Sequence, residues 1–390
     1  MLLDFLRSPE AYRTLGLAGT SVHLIETHHA WVFLIGDHAL KMKKPVRNRW
    51  LNFSTPALRE AACRQEWQLN QTLAPGVYLG LVQARREAEG WRLRLVEPTQ
   101  PDVEAGAASP QAAHPRLPQA QPASALDPCG VASPGQEDWL VLMRRLPEDR
   151  MLDRLIERGA LCTEAVDRLA RVLCSFWSAA PRVALAPQAW LERLQAALAQ
   201  HAQALTCSGR LTDPSIGGPP PAQIHQAIDG CRRLLDGCQR DLTQRVQQGR
   251  MVLGHGDLRP EHVHLPPPPG RPLVIDRLEF NQTLREVDPF EELAFLAVEC
   301  RRLGAPWVGR RLFARCGRLL DDRPPHRLLR LYTAQRALLR ARQALAHLDE
   351  LPAPPDRPWR ALARWYVQCA CLATAAPRGL QPTWAGTPAA

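Results

Sequence analysis

Long apolar runs are missing from this chain of 390 residues. No stretch of eighteen or more apolar residues occurs, so no membrane-spanning helix is expected. The first residues, 1–7, lack a basic leader and place Asp4 inside their apolar stretch. A signal peptide is therefore not expected, and the cytoplasm is the expected location. No block of five consecutive basic residues appears, although Lys and Arg number 49 against 39 Asp and Glu, a formal net charge of +10. The surplus is spread along the chain rather than gathered into a stripe, so no nucleic-acid or membrane partner is expected. Cys-x-x-Cys pairs are absent as well. The eleven cysteines are odd in number, and Cys369 and Cys371 form a lone Cys-x-Cys in an apolar pattern. They read as reduced thiols rather than a zinc site or a disulfide framework. What remains is ordinary: 45% apolar and 23% charged residues exclude a wholly disordered chain and supply a sizeable core.

Composition divides the chain. Residues 1–99 alternate strand-like and helical patterns. Residues 101–137 hold seven Pro and nine Ala with almost no large apolar side chain, which predicts a disordered insert, since such a segment cannot bury enough surface to offset its ordering entropy. Residues 375–390 are again rich in Pro, Ala and Gly and predict a loose tail. Strands are predicted at 21–26, 30–35 and 38–42, the last two joined by a tight Gly36-Asp37 turn. A helix follows from Ser54, read as its cap with Pro56 in the first turn, to about residue 73. Further strands are predicted at 78–82, 91–96 and 139–143, with the insert joining two neighbouring strands. Beyond Met143 the periodicity is helical, at 151–158, 163–179, 187–205, 222–248, 290–303, 309–320, 326–347 and 359–373.

The exception to that helical run is 252–281, which reads strand, loop, strand. It contains Gly254-His255-Gly256-Asp257-Leu258-Arg259-Pro260-Glu261-His262, and then an apolar strand ending in Asp276, 19 positions after Asp257. Phosphoryl transfer from ATP asks for one carboxylate beside the acceptor hydroxyl, a second to hold Mg²⁺ against the phosphates, and a cation on the γ-phosphate. Asp257, Asp276 and Arg259 match those needs in that order.

The run Asp257 to His262 is similar, position for position, to the Asp-Leu-Lys-Pro-Glu-Asn catalytic loop of protein kinases. His255-Gly256-Asp257 resembles the His-Gly-Asp of the aminoglycoside phosphotransferase branch. His38-Ala39-Leu40-Lys41 resembles the Val-Ala-Ile-Lys element of kinases, and Glu66 the glutamate that pairs with that lysine. The likeness extends to the phosphotransferase-like domain of bacterial bifunctional aminoglycoside phosphotransferase/ATP-binding proteins. It runs through 26–29, 31–46, 50–54, 69–70 and 73–75, returns at 143–147 and 292–296, and ends at 336–342. The P-loop pattern G-x-x-x-x-G-K-[ST] of those proteins' second domain does not occur.

The resemblance implies an α+β, protein-kinase-like two-lobed fold. A small N-terminal antiparallel sheet with one helix would occupy 1–143, and a larger, mostly helical lobe 144–374. It further implies an ATP-dependent kinase acting on a hydroxyl of a small molecule. Adenine would lie near Met143, Lys41 held by Glu66 would meet the α- and β-phosphates, and Asp276 would hold Mg²⁺. Lys43 competes with Lys41 for its role, and Glu60 with Glu66. Glu292 is expected to orient the catalytic loop from the following helix, and His255 to fix it by hydrogen bonds.

Three departures from the kinase pattern stand out. His262 replaces the asparagine that is normally a second metal ligand, and imidazole suits Mn²⁺-like ions better than Mg²⁺. No G-x-G-x-x-G joins the first two strands, so phosphate cover falls to backbone N–H groups or to His28 and His29. Asp276-Arg277-Leu278-Glu279 stands in place of Asp-Phe-Gly, with Glu279 a candidate for a metal or water contact. These departures keep two alternatives open. One is a nucleotide-binding pseudoenzyme or regulatory module. The other is a metal-dependent phosphohydrolase using His255, Asp257, His262 and His264. The arginines of 327–342 read as solvated or paired with acids such as Glu291.

Overall fold

A computed structural model of the chain describes residues 1–17, 19–48, 50–96, 137–207, 217–349 and 358–375. The expected insert and tail lie outside these residues, apart from Glu137, which opens a strand, and Ala375, which closes the last helix. Two compact units are present. The first comprises Met1–Glu148 with Leu273–Gln282, and the second Asp149–Pro272 with Thr283–Ala390. The segment Leu273–Gln282, which the resemblance places within 144–374, clusters with the first unit.

The first unit is built on one antiparallel sheet of six strands in the order β1-β2-β3-β6-β4-β5. These are β1 (His23–Glu26), β2 (Ala30–Ile35), β3 (His38–Lys43), β4 (Tyr78–Glu87), β5 (Gly90–Val96) and β6 (Glu137–Arg144). The Gly36-Asp37 turn pairs Ile35 with His38 as its sequence predicts, with Gly36 at φ 50°. The connection between β5 and β6 does not join neighbours, contrary to the sequence expectation. β6 lies between β3 and β4, and β5 is the outer strand. The physical reason is the composition of β6, whose Trp139, Leu140, Val141 and Leu142 are all buried. Such a strand belongs in the middle of a sheet covered on both faces.

Period-two alternation sorts the strands' side chains. Leu40 and Met42 of β3, Leu140 and Leu142 of β6, and Phe33 and Ile35 of β2 pack with Leu6 and Tyr12. Those last two come from a short helix α1 (Leu2–Leu6) and a 3-10 segment (Pro9–Leu15) that the sequence pattern did not reveal. The opposite face of the sheet, carrying Trp139, Val141 and Leu81, packs on helix α2 (Pro56–Asn70) through Cys63. Lys41 and Lys43 alternate with Leu40 and Met42 and therefore share that second face. The α2 cap is Thr55 rather than Ser54: the Thr55 hydroxyl accepts the Leu58 N–H at 3.3 Å. Ser54 instead donates to Asn52.

The second unit is helical: α3 (Leu152–Glu157), α4 (Thr163–Ala179), α5 (Pro187–Thr206), α6 (Pro221–Gln247), α7 (Pro289–Arg302), α8 (Pro306–Leu319), α9 (His326–Ala346) and α10 (Trp359–Thr374). Its helices follow the predicted spans closely. α4 shows why: Val166, Leu169, Ala170, Leu173, Phe176 and Trp177 recur at helical spacing and are all buried. No helix among the described residues is long and apolar enough to cross a membrane. The ten described cysteines are free thiols. Of the arginines on α9, Arg336 pairs with Glu291 at 3.1 Å and Arg340 with Glu299 at 2.8 Å.

One buried ion network ties α6, α7 and α9 together. Arg245 donates from Nε and Nη2 to Asp288 at 2.6 and 2.8 Å, and from Nη1 to Asp322 at 2.6 and 2.8 Å. Tyr332 donates to Asp288 at 2.9 Å, and Asp288 also caps α7 by accepting the Phe290 N–H. Removing one partner of a buried pair leaves the other charge uncompensated. Asp288→Ala is expected to destabilise the protein by about 3–5 kcal/mol, measured by urea denaturation. A loss within experimental error of zero would show that the network contributes nothing.

Candidate active site

The functional residues anticipated from sequence fall into two constellations, one in each unit. In the first unit, helix α2 presents Arg59, Ala62, Cys63, Glu66 and Asn70 on its buried face. Glu66 is wholly buried, an arrangement tolerable only with charge partners. It has two. Lys41 Nζ donates to Glu66 Oε1 at 2.9 Å, and Lys43 Nζ donates to Glu66 Oε2. Lys41 also meets Asp276 Oδ1 at 2.5 Å, and Lys43 also meets Glu279. The two lysines differ in burial: Lys41 keeps 15% of its side chain exposed and Lys43 only 2%. Glu60 takes no part; it pairs with Arg64 one helical turn away at 2.7 Å.

Electrostatics favour the charged forms of Lys41 and Glu66, whereas burial raises the Glu279 carboxyl above its ordinary range despite Lys43. Burial works against the Lys41 ammonium, but Asp276, Glu66 and Glu279 outweigh it and hold Lys41 protonated well above its ordinary range. Burial likewise opposes the Glu66 carboxylate, and Lys41 and Lys43 overcome it, holding Glu66 below the ordinary glutamate range.

Asp276 stands at the end of the short strand Leu273–Val274 with φ 62°. A non-glycine residue in the left-handed region is uncommon, and such strain gathers at functional positions. Three backbone N–H groups pin the segment. Val274 donates to Leu73 O at 3.1 Å. Asp276 donates to the Tyr78 hydroxyl and Arg277 to Asn70 Oδ1, both at 2.9 Å. Asn70 and Tyr78 were not anticipated in this role. The signal for Asn70 was present, because it continues the buried stripe of α2 one turn beyond Glu66. Asp276 keeps 38% of its side chain exposed. Met143 is half-buried near the end of β6, beside Ala39 in the register. His28 is exposed in the turn between β1 and β2, its ring 6.1 Å from that of His29.

In the second unit, the loop 254–262 is held from behind by Glu292 of α7. Glu292 Oε1 accepts the Gly256 N–H at 2.5 Å, and Oε2 accepts from Trp177 Nε1 of α4 at 2.8 Å. Glu292 therefore orients the loop as its position suggested, while Trp177 went unnoticed among the apolar residues of α4. Gly256 has φ 91°, a turn that suits glycine. Gly254 is required by space: a Cβ there would lie 2.5 Å from both Glu292 Oε2 and Val287 Cγ2.

Both loop histidines are turned inward. His255 Nδ1 accepts the Asp257 N–H at 3.2 Å. Arg259 Nη2 lies 3.2 Å from His262 Nε2, and His262 Nδ1 lies 2.8 Å from the Asp257 carbonyl oxygen. Because a guanidinium only donates, Nε2 is the acceptor and Nδ1 carries the proton given to that carbonyl. Asp257 accepts from Arg259 Nε at 3.0 Å and Nη2 at 2.9 Å, and Arg259 Nη1 reaches Glu261 at 2.7 Å. Burial would raise the Asp257 carboxyl, but Arg259, followed by His262, Arg340 and His255, holds it below the ordinary aspartate range. Among the described residues no group of three or more His, Cys, Asp or Glu side chains is placed to hold a metal ion.

No family model matches the chain. Uncharacterized proteins of Mycobacterium tuberculosis (strain H37Rv) and Mycobacterium bovis are each 29% identical to it over 326 residues, covering 81% of this chain and 53% of theirs. The chain thus spans about half the length of the curated relatives it matches. Among solved structures, a choline/ethanolamine kinase family protein from Mesorhizobium loti superposes with a TM-score of 0.51 at 14% identity, over 97% of this chain and 96% of that one. An aminoglycoside phosphotransferase superposes with a TM-score of 0.48 at 13% identity, over 96% and 99%. The six-stranded antiparallel sheet with its helix, and the larger helical unit, make the fold protein-kinase-like, as expected from the sequence.

The cradle around Gly254 is testable by itself. Gly254→Ala is expected to lower stability by about 1–3 kcal/mol through overpacking against Glu292 and Val287, read by urea denaturation. An unchanged midpoint would mean that the loop does not lean on the Glu292 carboxylate.

Proposed function

We propose that the chain catalyses ATP-dependent phosphoryl transfer to a hydroxyl group of a small molecule. The observation that carries this reading is the Lys41–Glu66–Asp276 set: a largely buried ammonium held between two carboxylates, one of them partly exposed at the end of an apolar strand, in a protein-kinase-like fold. A triphosphate needs such a cation, and a magnesium ion is commonly held by one or two carboxylates together with the phosphates rather than by an all-protein cage.

In this reading Lys41 meets the α- and β-phosphates, with adenine near Met143 and His28 contributing phosphate cover. Asp276 fits Mg²⁺ as an oxygen donor, and the ion when bound neutralises charge on the β- and γ-phosphates. Asp257, kept ionised by Arg259, orients the acceptor hydroxyl and takes its proton as that oxygen bonds to the γ-phosphorus and the bond to the β,γ-bridging oxygen breaks, ADP leaving. Arg259 offsets charge on the transferred group. Catalysis then consists mainly of positioning and charge compensation. His262 and Glu279 are assigned away from the metal. The His262 ring nitrogens meet Asp257 O and Arg259, and Glu279 meets Lys43, so both brace the site and the motive for Mn²⁺ weakens.

The same engagement of His262 favours the second reading, a nucleotide-binding pseudoenzyme, because the position where kinases supply a second metal ligand is occupied by a brace. The phosphohydrolase reading is disfavoured: His255 and His262 bond the loop backbone, and among the described residues no group of three or more His, Cys, Asp or Glu side chains is placed to hold a metal ion.

A panel of small hydroxyl compounds, assayed for ADP release with Mg²⁺ and then Mn²⁺, separates transfer from binding alone. With an accepted substrate, Asp257→Asn is expected to lower turnover by about 10²–10⁴-fold while the thermal shift caused by ATP persists. Normal turnover in that variant would refute the role of Asp257. The lowered pKa also sets a direction for the pH profile. The Asp257 carboxylate stays ionised as pH falls, so the acid limb due to it should lie below the range in which an ordinary aspartate titrates. An acid limb at or above that range would contradict the Arg259 pairing.

A further inference from the structure

A kinase-like site needs one lysine for the phosphates, yet β3 places two on the same face, one of them buried. Lys43 is 2% exposed and Glu279 5%, so neither faces a ligand. Phe53 covers Lys43, whose ammonium lies 5.4 Å from the ring centroid. Phe280, next to Glu279, meets Phe53 edge-on at 6.3 Å, and His29 lies against Phe280 at 6.3 Å. This aromatic cover keeps water from the pair, which strengthens both its attraction and the penalty for breaking it.

The connections are specific. Glu66 divides its two oxygens, Oε1 to Lys41 and Oε2 to Lys43. Lys43 in turn holds Glu279, three residues beyond Asp276. The Tyr78 and Asn70 bonds fix the segment at residues 276 and 277, and the Lys43 contact fixes it at residue 279. Two ammonium groups face three carboxylates in this set. Without Lys43, one ammonium would face all three, and repulsion would draw Glu66 and Asp276 away from their places around Lys41.

We infer that Lys43 and Glu279 form a positioning pair that sets the geometry of Lys41 and Asp276 from behind, and that Glu279 is not a metal ligand. This inference rests on the phosphotransferase reading. The pair belongs neither to the phosphate contacts nor to the metal, but it decides whether both are presented correctly.

The experiment compares the wild-type chain with Lys43→Met, Glu279→Gln and the double variant. Binding of a nonhydrolysable ATP analogue is titrated calorimetrically across a series of Mg²⁺ concentrations. Each single variant is expected to weaken nucleotide binding by about tenfold, as for other groups that orient a ligand-binding side chain. The double variant should be no weaker than the worse single one, because the two residues act as a unit. The Mg²⁺ concentration for half-effect should move equally in both single variants. A rise confined to Glu279→Gln, with effects that add in the double variant, would make Glu279 a metal ligand and overturn the inference. Wild-type affinity in all three variants would also overturn it, reducing the pair to packing. Should both single variants fail to fold, the double variant decides, since removing both charges of a buried pair is milder than removing one. Its binding weakened about tenfold supports the inference, and wild-type binding ends it. A wild-type protein that binds no nucleotide at any Mg²⁺ concentration would end the phosphotransferase reading, and the inference with it, a result distinct from intact binding in the variants.

Discussion

The first unit depends on a carboxylate taken completely out of water. Glu66 lies under the sheet with no exposed surface, and burying an unpaired charge is costly enough that the group would neutralise or the helix would shift. Two lysines on one face of one strand prevent this. Their spacing of two residues is the period of a strand, so both reach the same helix. From that shared contact the rest follows outward: Lys41 to Asp276, Lys43 to Glu279, and the chain of 276–279 stretched between them. The strained backbone of Asp276 persists because hydrogen bonds from its own N–H and its neighbour's, together with the ion pair, over-determine its place.

The second unit solves a similar problem by other means. Its loop must hold Asp257 ionised and its backbone turned, and a second wholly interior acid, Glu292, serves the backbone rather than a lysine. Trp177 takes one of its oxygens and the Gly256 amide the other. The two histidines complete the frame through backbone atoms of Asp257 itself. Fold similarity at 14% identity speaks to the architecture alone. The chemistry has to be read from these side chains.

Much of this was legible in the residues. Helices such as α4 and α9 were readable because their apolar stripes are long and regular, and the β2–β3 hairpin because Gly36-Asp37 permits one kind of turn. The motif around Asp257 stood out because its acids, arginine and histidines fall at fixed offsets along one loop that resembles a kinase catalytic loop. The N-terminal α1 and 3-10 segment were not visible, being too short to show a period. The place of β6 was missed because strand order depends on which apolar faces need covering, and that is settled by the whole sheet. His262 and Glu279 looked like metal ligands by residue type. Residue type does not reveal their contacts, His262 with Asp257 O and Arg259, and Glu279 with Lys43.

The sequence alone determined the class of architecture, the identity of the acids and cations, and the local geometry that periods and turns impose. Tertiary structure decided which of the two lysines retains an exposed edge, that Glu66 rather than Glu60 serves them, and that Asn70, Tyr78 and Trp177 hold backbone in place. The reason is that spacing along the chain fixes only which neighbours share a face. The partner of a buried charge is chosen by distance and by the exclusion of water, and both arise only when residues some 200 positions apart, such as Asn70 and Arg277, are packed together.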